Sequence, residues 1–120
     1  MIPDANYTVV GVSFTPGYPD NLHALAAMQE EAVASGEPVP VVLIRNPDNE
    51  YDANAIEVHC PSLGEYGMIG HLPKDIARRV APDMDGGMRL AGSVHEVRIH
   101  PDHPERPGIT VDIWRQKEES

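Results

Sequence analysis

The chain has 120 residues, 41% of them hydrophobic, and 19 acids oppose nine bases for a formal net charge of −10. That length suits one domain, residues 1–120, with a single core. The charge disfavours nonspecific attraction to nucleic acid or anionic lipid, so a site for either needs a local basic patch. No apolar run approaches the ~20 residues that cross a bilayer. The opening MIPDANYT lacks the basic and apolar regions of a signal peptide, and the lone cysteine, Cys60, excludes an internal disulfide framework. The expected compartment is the cytoplasm, with no membrane partner.

Twelve prolines and ten glycines point to short elements joined by many turns. YTVVGVSF, Tyr7 to Phe14, is rich in β-branched and aromatic residues and predicts a strand that stops at TPGYPDN. Asp20 or Asn21 caps the helix that follows. Leu22, Leu25, Met28, Ala32 and Val33 recur there at helical spacing, and Gly36 is its stop. VPVVLIRN reads as a strand apolar on both faces, hence central. AIEVHC alternates, with Ala55, Glu57 and His59 on one face and Ile56, Val58 and Cys60 on the other. EYGMIGHL reads as a short strand whose two glycines suggest a bend or a close backbone approach.

PKDIARRVAPDM predicts a second helix with Pro73 at its first position. Ile76, Ala77 and Val80 face inward, Lys74, Arg78 and Arg79 stay in water, and Asp75 and Arg79 form an i,i+4 pair. MRLAGSVHEVRIH and GITVDIW predict two last strands joined by PDHPERP; the core spans about 7–115, and 116–120 form a frayed tail. The order β-α-β-β-β-α-β-β, with hairpin-type connections, predicts a mainly β fold: a small antiparallel barrel or curled sheet with two accessory helices.

The loop PDNEYDAN, Pro47 to Asn54, packs three acids, two asparagines and a tyrosine between two strands. Asp48, Glu50, Asp52 and Asn54 alternate as calcium ligands do. An EF-hand, however, needs glycine at its sixth position and glutamate at its twelfth, and counting from Asp48 those are Ala53 and His59. Turn chemistry accounts for Asp48 and Asn54, because Asp and Asn bond their own backbone in Asx-turns. No CxxC or HxxxH spacing specifies a zinc site. His59 and Cys60 point to opposite faces of a strand, and no nucleophile elbow, P-loop or GxGxxG occurs. No metal, cofactor or enzymatic activity is expected. Only six aromatic residues exist, and single-strand binding needs exposed rings near a basic groove. Phe14 and Tyr51 would flank one cleft if their segments are neighbours; otherwise both are core plugs.

VVGVSF, VLIRNPDNEYDANAIEV and GMIGHLPKDIARRVAP, in this order and spacing, resemble the HIRAN domain over roughly Tyr7 to Val97. The resemblance implies a six-stranded, OB-like barrel. It also implies recognition of the 3′ end of single-stranded DNA, or of damaged and stalled DNA, as in the eukaryotic fork-remodelling ATPases that carry this domain. Carried over, Tyr51 and Phe14 would meet terminal bases, and Asp52 would accept from the 3′-hydroxyl. Asn49 and His71 would line the pocket, and Lys74 and Arg78 would flank it and bind phosphates. A carboxylate repels a terminal phosphate and accepts from a free hydroxyl, so an acid there selects the 3′-OH end.

The family's strand one carries a basic residue and two aromatics where this chain has Ser13, Phe14 and Thr15, so a base and one ring are missing and weak binding is expected. The chain looks like a stand-alone bacterial or phage member acting beside a helicase or nuclease. The alternatives are a protein-interaction module docked through the first helix, or an acidic DNA mimic that inhibits a DNA-processing enzyme.

Overall fold

Val41 and Leu43, Ile56 and Val58, and Ile109, Val111 and Ile113 alternate with more exposed neighbours, and each of them is buried. This period of two sets an inner and an outer face for every strand. The computed structural model describes residues 5–12, 20–50, 52–99, 102 and 108–115. In chain order the elements are β1 (Ala5–Val9), α1 (Asp20–Ser35), β2 (Pro40–Arg45), β3 (Ile56–His59), a 3-10 helix (Pro61–Tyr66), β4 (Met68–His71), α2 (Lys74–Asp85), β5 (Leu90–Arg98) and β6 (Gly108–Arg115).

The strands pair antiparallel in the order β1-β6-β5-β2-β3-β4. The last strand then returns to the first. Val10, just past β1, bonds His71 of β4 in both directions, N–H to carbonyl, at 2.8 and 2.9 Å. The sheet is therefore a nearly closed six-stranded barrel with two helices, as the element order predicts. Closure removes the unpaired edges an open sheet would leave.

Gly70 makes the closure possible. Its φ is +150°, and a Cβ there would lie 2.5 Å from both the Val10 carbonyl oxygen and Val9 Cγ1. The β3–β4 register steps from Val58↔Gly70 to His59↔Met68, leaving Ile69 as an extra residue. Such a bulge sharpens the local bend and re-aims the following side chain. A second register shift, between Val94 and Glu96 of β5, leaves His95 outside the pairing.

Several expectations are revised. The first strand ends at Val9 rather than Phe14, because Gly11 takes a left-handed φ of +73° that breaks the extended run. Phe14 itself lies outside the described residues. β2 is central, yet Val42 and Ile44 are 45% and 43% exposed. In a barrel only the inner face meets the core, and no described layer covers β2 from outside. On α1, Leu22, Leu25 and Ala32 are buried and Met28 packs beside them, but Val33 is 76% exposed. One residue turns a helix by about 100°, which carries Val33 off the line that ends at Ala32.

Pro73 precedes α2 instead of opening it. Its ψ of 146° is extended, and its carbonyl accepts the first helical bond, from Ala77 N–H at 2.9 Å. The 3-10 helix has no counterpart in the expected elements, and Asp75 and Arg79 form no ion pair. Gly36 does end α1, with φ +78° and its N–H on the Ala32 carbonyl at 2.8 Å.

Gly70→Ala is expected to cost about 3 kcal/mol in urea unfolding, combining a disfavoured φ with a backbone clash at the seam. Gly86→Ala, at φ −79° with no neighbour nearer than 3.5 Å, should change stability by less than ~0.5 kcal/mol.

Candidate functional site

The β2–β3 loop is built from its own side chains. Asn46 N–H bonds the Ala55 carbonyl at 2.9 Å and closes the loop at its base. Asn49 Oδ1 accepts from Asp52 N–H at 3.0 Å, and Asp52 Oδ1 accepts from Asn54 N–H at 2.9 Å. These are the short-range bonds that Asx residues offer a turning backbone. The turn work thus falls to Asn49 and Asp52, two of the residues that the family resemblance gave to a ligand. Asp48, expected to serve the turn, is exposed, and Asn54 takes part through its backbone N–H.

Beneath the loop lies Arg45, at the end of β2, with only 15% of its side chain exposed. Nη1 donates to the carbonyls of Ala53 (3.0 Å) and Ala55 (3.1 Å). Nε and Nη2 grip the two carboxylate oxygens of Asp85 at 2.9 and 3.1 Å. This forked geometry matches guanidinium to carboxylate and leaves little freedom to either. One side chain therefore ties the loop to the last residue of α2. The hydrogen bonds from Arg45 hold the Asp85 carboxyl below its ordinary value. Asp85, together with the charge of Asp52, raises Arg45 in turn.

The outer barrel face beside the loop carries a row set by register. Val10 pairs with His71, His71 with Glu57, and Glu57 with Ile44. Directly opposed residues point to the same face, so this row runs across β1, β4, β3 and β2. Val10 and Ile44 are exposed, while His71 and Glu57 are half-buried. Glu57 is held on both oxygens, by Asn46 Nδ2 at 3.0 Å and by His59 Nε2 at 2.8 Å. On the inner face, burial pushes the Cys60 thiol up, which outweighs the opposing pull of hydrogen bonds from Ser62 and Leu63. A buried protonated thiol is a poor nucleophile. Among the described residues no group of three His, Cys, Asp or Glu is arranged to share a metal ion.

Of the residues expected at the site, Asn49 and Asp52 are joined directly. His71 stands on the outer row, and Lys74 and Arg78 are exposed one turn apart on α2. Tyr51, like Phe14, lies outside the described residues. Arg45, Asp85, Asn46 and Glu57 were not singled out from the sequence. The one available signal was an arginine at the exit of an apolar strand, three residues before the first of the alternating acids Asp48, Glu50 and Asp52.

A family model described as the HIRAN domain matches residues 2–117. No curated protein matches the chain. Two crystal structures share its fold. A protein from Lactobacillus plantarum is 23% identical, covers 95% of this chain and 93% of its own, and has a TM-score of 0.63. The HIRAN domain of human HLTF is 24% identical, covers 91% of this chain and 74% of its own, and has a TM-score of 0.56.

The Arg45–Asp85 pair makes stability depend on pH. Asp85 is depressed in the folded chain, so its contribution is complete above the ordinary carboxylate value of 3.8 and is lost as pH falls through the lower, folded value. Asp85→Asn should therefore unfold at lower urea than the native chain near neutral pH. The two curves should converge in acid below that value, where protonation removes the same charge.

Proposed function

Because this chain belongs to the HIRAN domain family, a family of DNA-binding modules, we propose that it binds DNA and takes the 3′ end of a single strand on the β2–β3 loop. The observation that carries this reading is the state of Asp52. Oδ1 is committed to Asn54 N–H, and Oδ2 makes no hydrogen bond to a described residue. The carboxylate is half-buried, and the loop that holds it is clamped by Arg45. An acceptor held this way suits a terminal hydroxyl and repels a terminal phosphate. Tyr51 and Phe14 would supply rings for the last bases, Asn49 holds Asp52 in place, and His71, Lys74 and Arg78 would meet the backbone phosphates.

The module performs no chemistry in this reading. Cys60 is buried with its thiol raised, and the oriented His59–Glu57 pair lies on the opposite face of β3. It would mark an end for a helicase or nuclease acting in trans. One observation favours a second reading, a protein-docking role for α1: Val33 stands 76% exposed on that helix, beside a groove it shares with Ala26 and Val97. Val33→Asp leaves DNA binding unchanged and abolishes the partner's binding if that reading holds.

Fluorescence anisotropy at low salt, with matched oligonucleotides ending in 3′-OH or 3′-phosphate, tests the primary reading. The native chain should prefer the 3′-OH end about tenfold or more, consistent with a charge-assisted hydrogen bond of roughly 1.5–3 kcal/mol. Asp52→Asn, which keeps the Oδ1 turn bond, should erase that preference at unchanged melting temperature. Equal binding of both ends by the native chain, or no binding at ~100 μM, the weak limit of nonspecific affinity, overturns it.

A further inference from the structure

The described bases divide into two groups. Arg45 is held by Asp85 and Arg98 by Glu96. Lys74, Arg78, Arg79, Arg89 and Arg115 have no carboxylate within ion-pair distance among the described residues. Three of the five lie on α2, Arg89 directly precedes β5, and Arg115 ends β6 opposite Leu90 of β5. In a chain of net charge −10, Arg79 and Arg115 are thus cations with no acid paired to them among the described residues.

A cavity of about 310 Å³ opens between α2 and the strands β1, β5 and β6. Its walls include Tyr7 of β1, Ile76 and Val80 of α2, and Ile113 of β6. Arg79 and Arg115 both line it, and both are exposed. α2 presents the small residues Ala77 and Ala81 to the core, while Tyr7, Ile76 and Val80 stay half-buried along the cavity. One acid, Asp83, shares the lining. Barrel mouths and the spaces under helices are common places for ligands, and a pocket of this size takes a small aromatic body.

We propose that this cavity is a nucleotide subsite: one base of a single strand lies against Tyr7 and the aliphatic wall, with a neighbouring phosphate on Arg79 and Arg115. An aromatic face beside unpaired guanidiniums is the combination that holds single strands without regard to sequence. Arg binds phosphate through paired, planar donors. Asp83 can accept from a base N–H, such as thymine N3–H or the exocyclic amine of another base. The subsite also supplies cations that strand one, reading Ser13-Phe14-Thr15, does not. The inference rests on the DNA-binding reading above but uses none of the loop residues, so a strand would be held by its end at the loop and by its body at α2.

The test uses the full chain and a labelled short oligothymidylate, with binding followed across a salt series. Arg79→Ala/Arg115→Ala should weaken binding about tenfold or more and lower the slope of log K against log salt by about 0.7 for each phosphate that is no longer neutralised. Tyr7→Leu should weaken binding about tenfold with the slope unchanged, because stacking carries no counterion release. Melting temperatures report whether each fold is kept. If Tyr7→Leu unfolds, the methyl NMR signals of Ile76 and Ile113 decide instead: they shift on addition of the oligothymidylate to the native chain, or the proposal falls. A native chain that binds while the double arginine variant keeps its affinity and slope overturns the subsite and leaves the loop reading intact. Loss of binding in the arginine variant, with no 3′-end preference in the native chain, supports the subsite and removes the end-reading role. A native chain that binds no oligonucleotide removes both.

Discussion

The two hydrogen bonds between Val10 and His71 turn a six-stranded sheet into a barrel, and they exist only because Gly70 has no side chain. The Val10 carbonyl and the Val9 side chain occupy the space a Cβ would need. Once the seam is closed, each strand has one face inside and one outside, and the interior fills with valine, leucine and isoleucine at alternate positions. The same closure explains why Val42 and Ile44 reach solvent on a strand that is central in pairing order. It also sets His71 on the outer row beside Glu57, at a position no local sequence pattern specifies.

Arg45 is the second constraint, and it acts on the loop rather than on the barrel. An acidic loop of eight residues would repel itself and move if its charge were unbalanced. The Asx bonds of Asn49 and Asp52 define local turns, and Arg45 then joins two loop carbonyls to Asp85 across 40 positions of sequence. The loop is joined to the end of α2 as a result. The loop carries the proposed acceptor for a strand end, and α2 carries three of the five bases unpaired among the described residues. The guanidinium links the two through hydrogen bonds at both ends, and ordering of this kind lowers the cost of binding.

Much of the fold was legible from local patterns. Helical spacing and Gly36 located α1 to the residue at its end, and alternation in AIEVHC sorted Glu57 and His59 from Ile56, Val58 and Cys60. Elsewhere a residue's surroundings overrode its type. Val33 has the composition of a core position and lies on the wet side, because neighbouring layers decide which arc of a helix is covered. The strand through Val42 and Ile44 looks doubly buried because both of its faces are apolar, and sequence alone does not reveal that nothing described packs outside it. At the site, Asn49 and Asp52 stand out for their chemistry, while their bonds to one another and to Asn54 emerge only with the backbone path.

By itself the sequence determined the order of the six strands and two helices, the inner face of β3 and the family motifs that bracket the loop. These follow from interactions within a few residues, where periodicity and side-chain type are enough. The tertiary structure alone decided the β1–β4 seam, the Arg45–Asp85 clamp and the meeting of Arg79 and Arg115 at the cavity beneath α2. Each of these joins groups tens of residues apart. Their energies depend on distances that exist only once the barrel has closed.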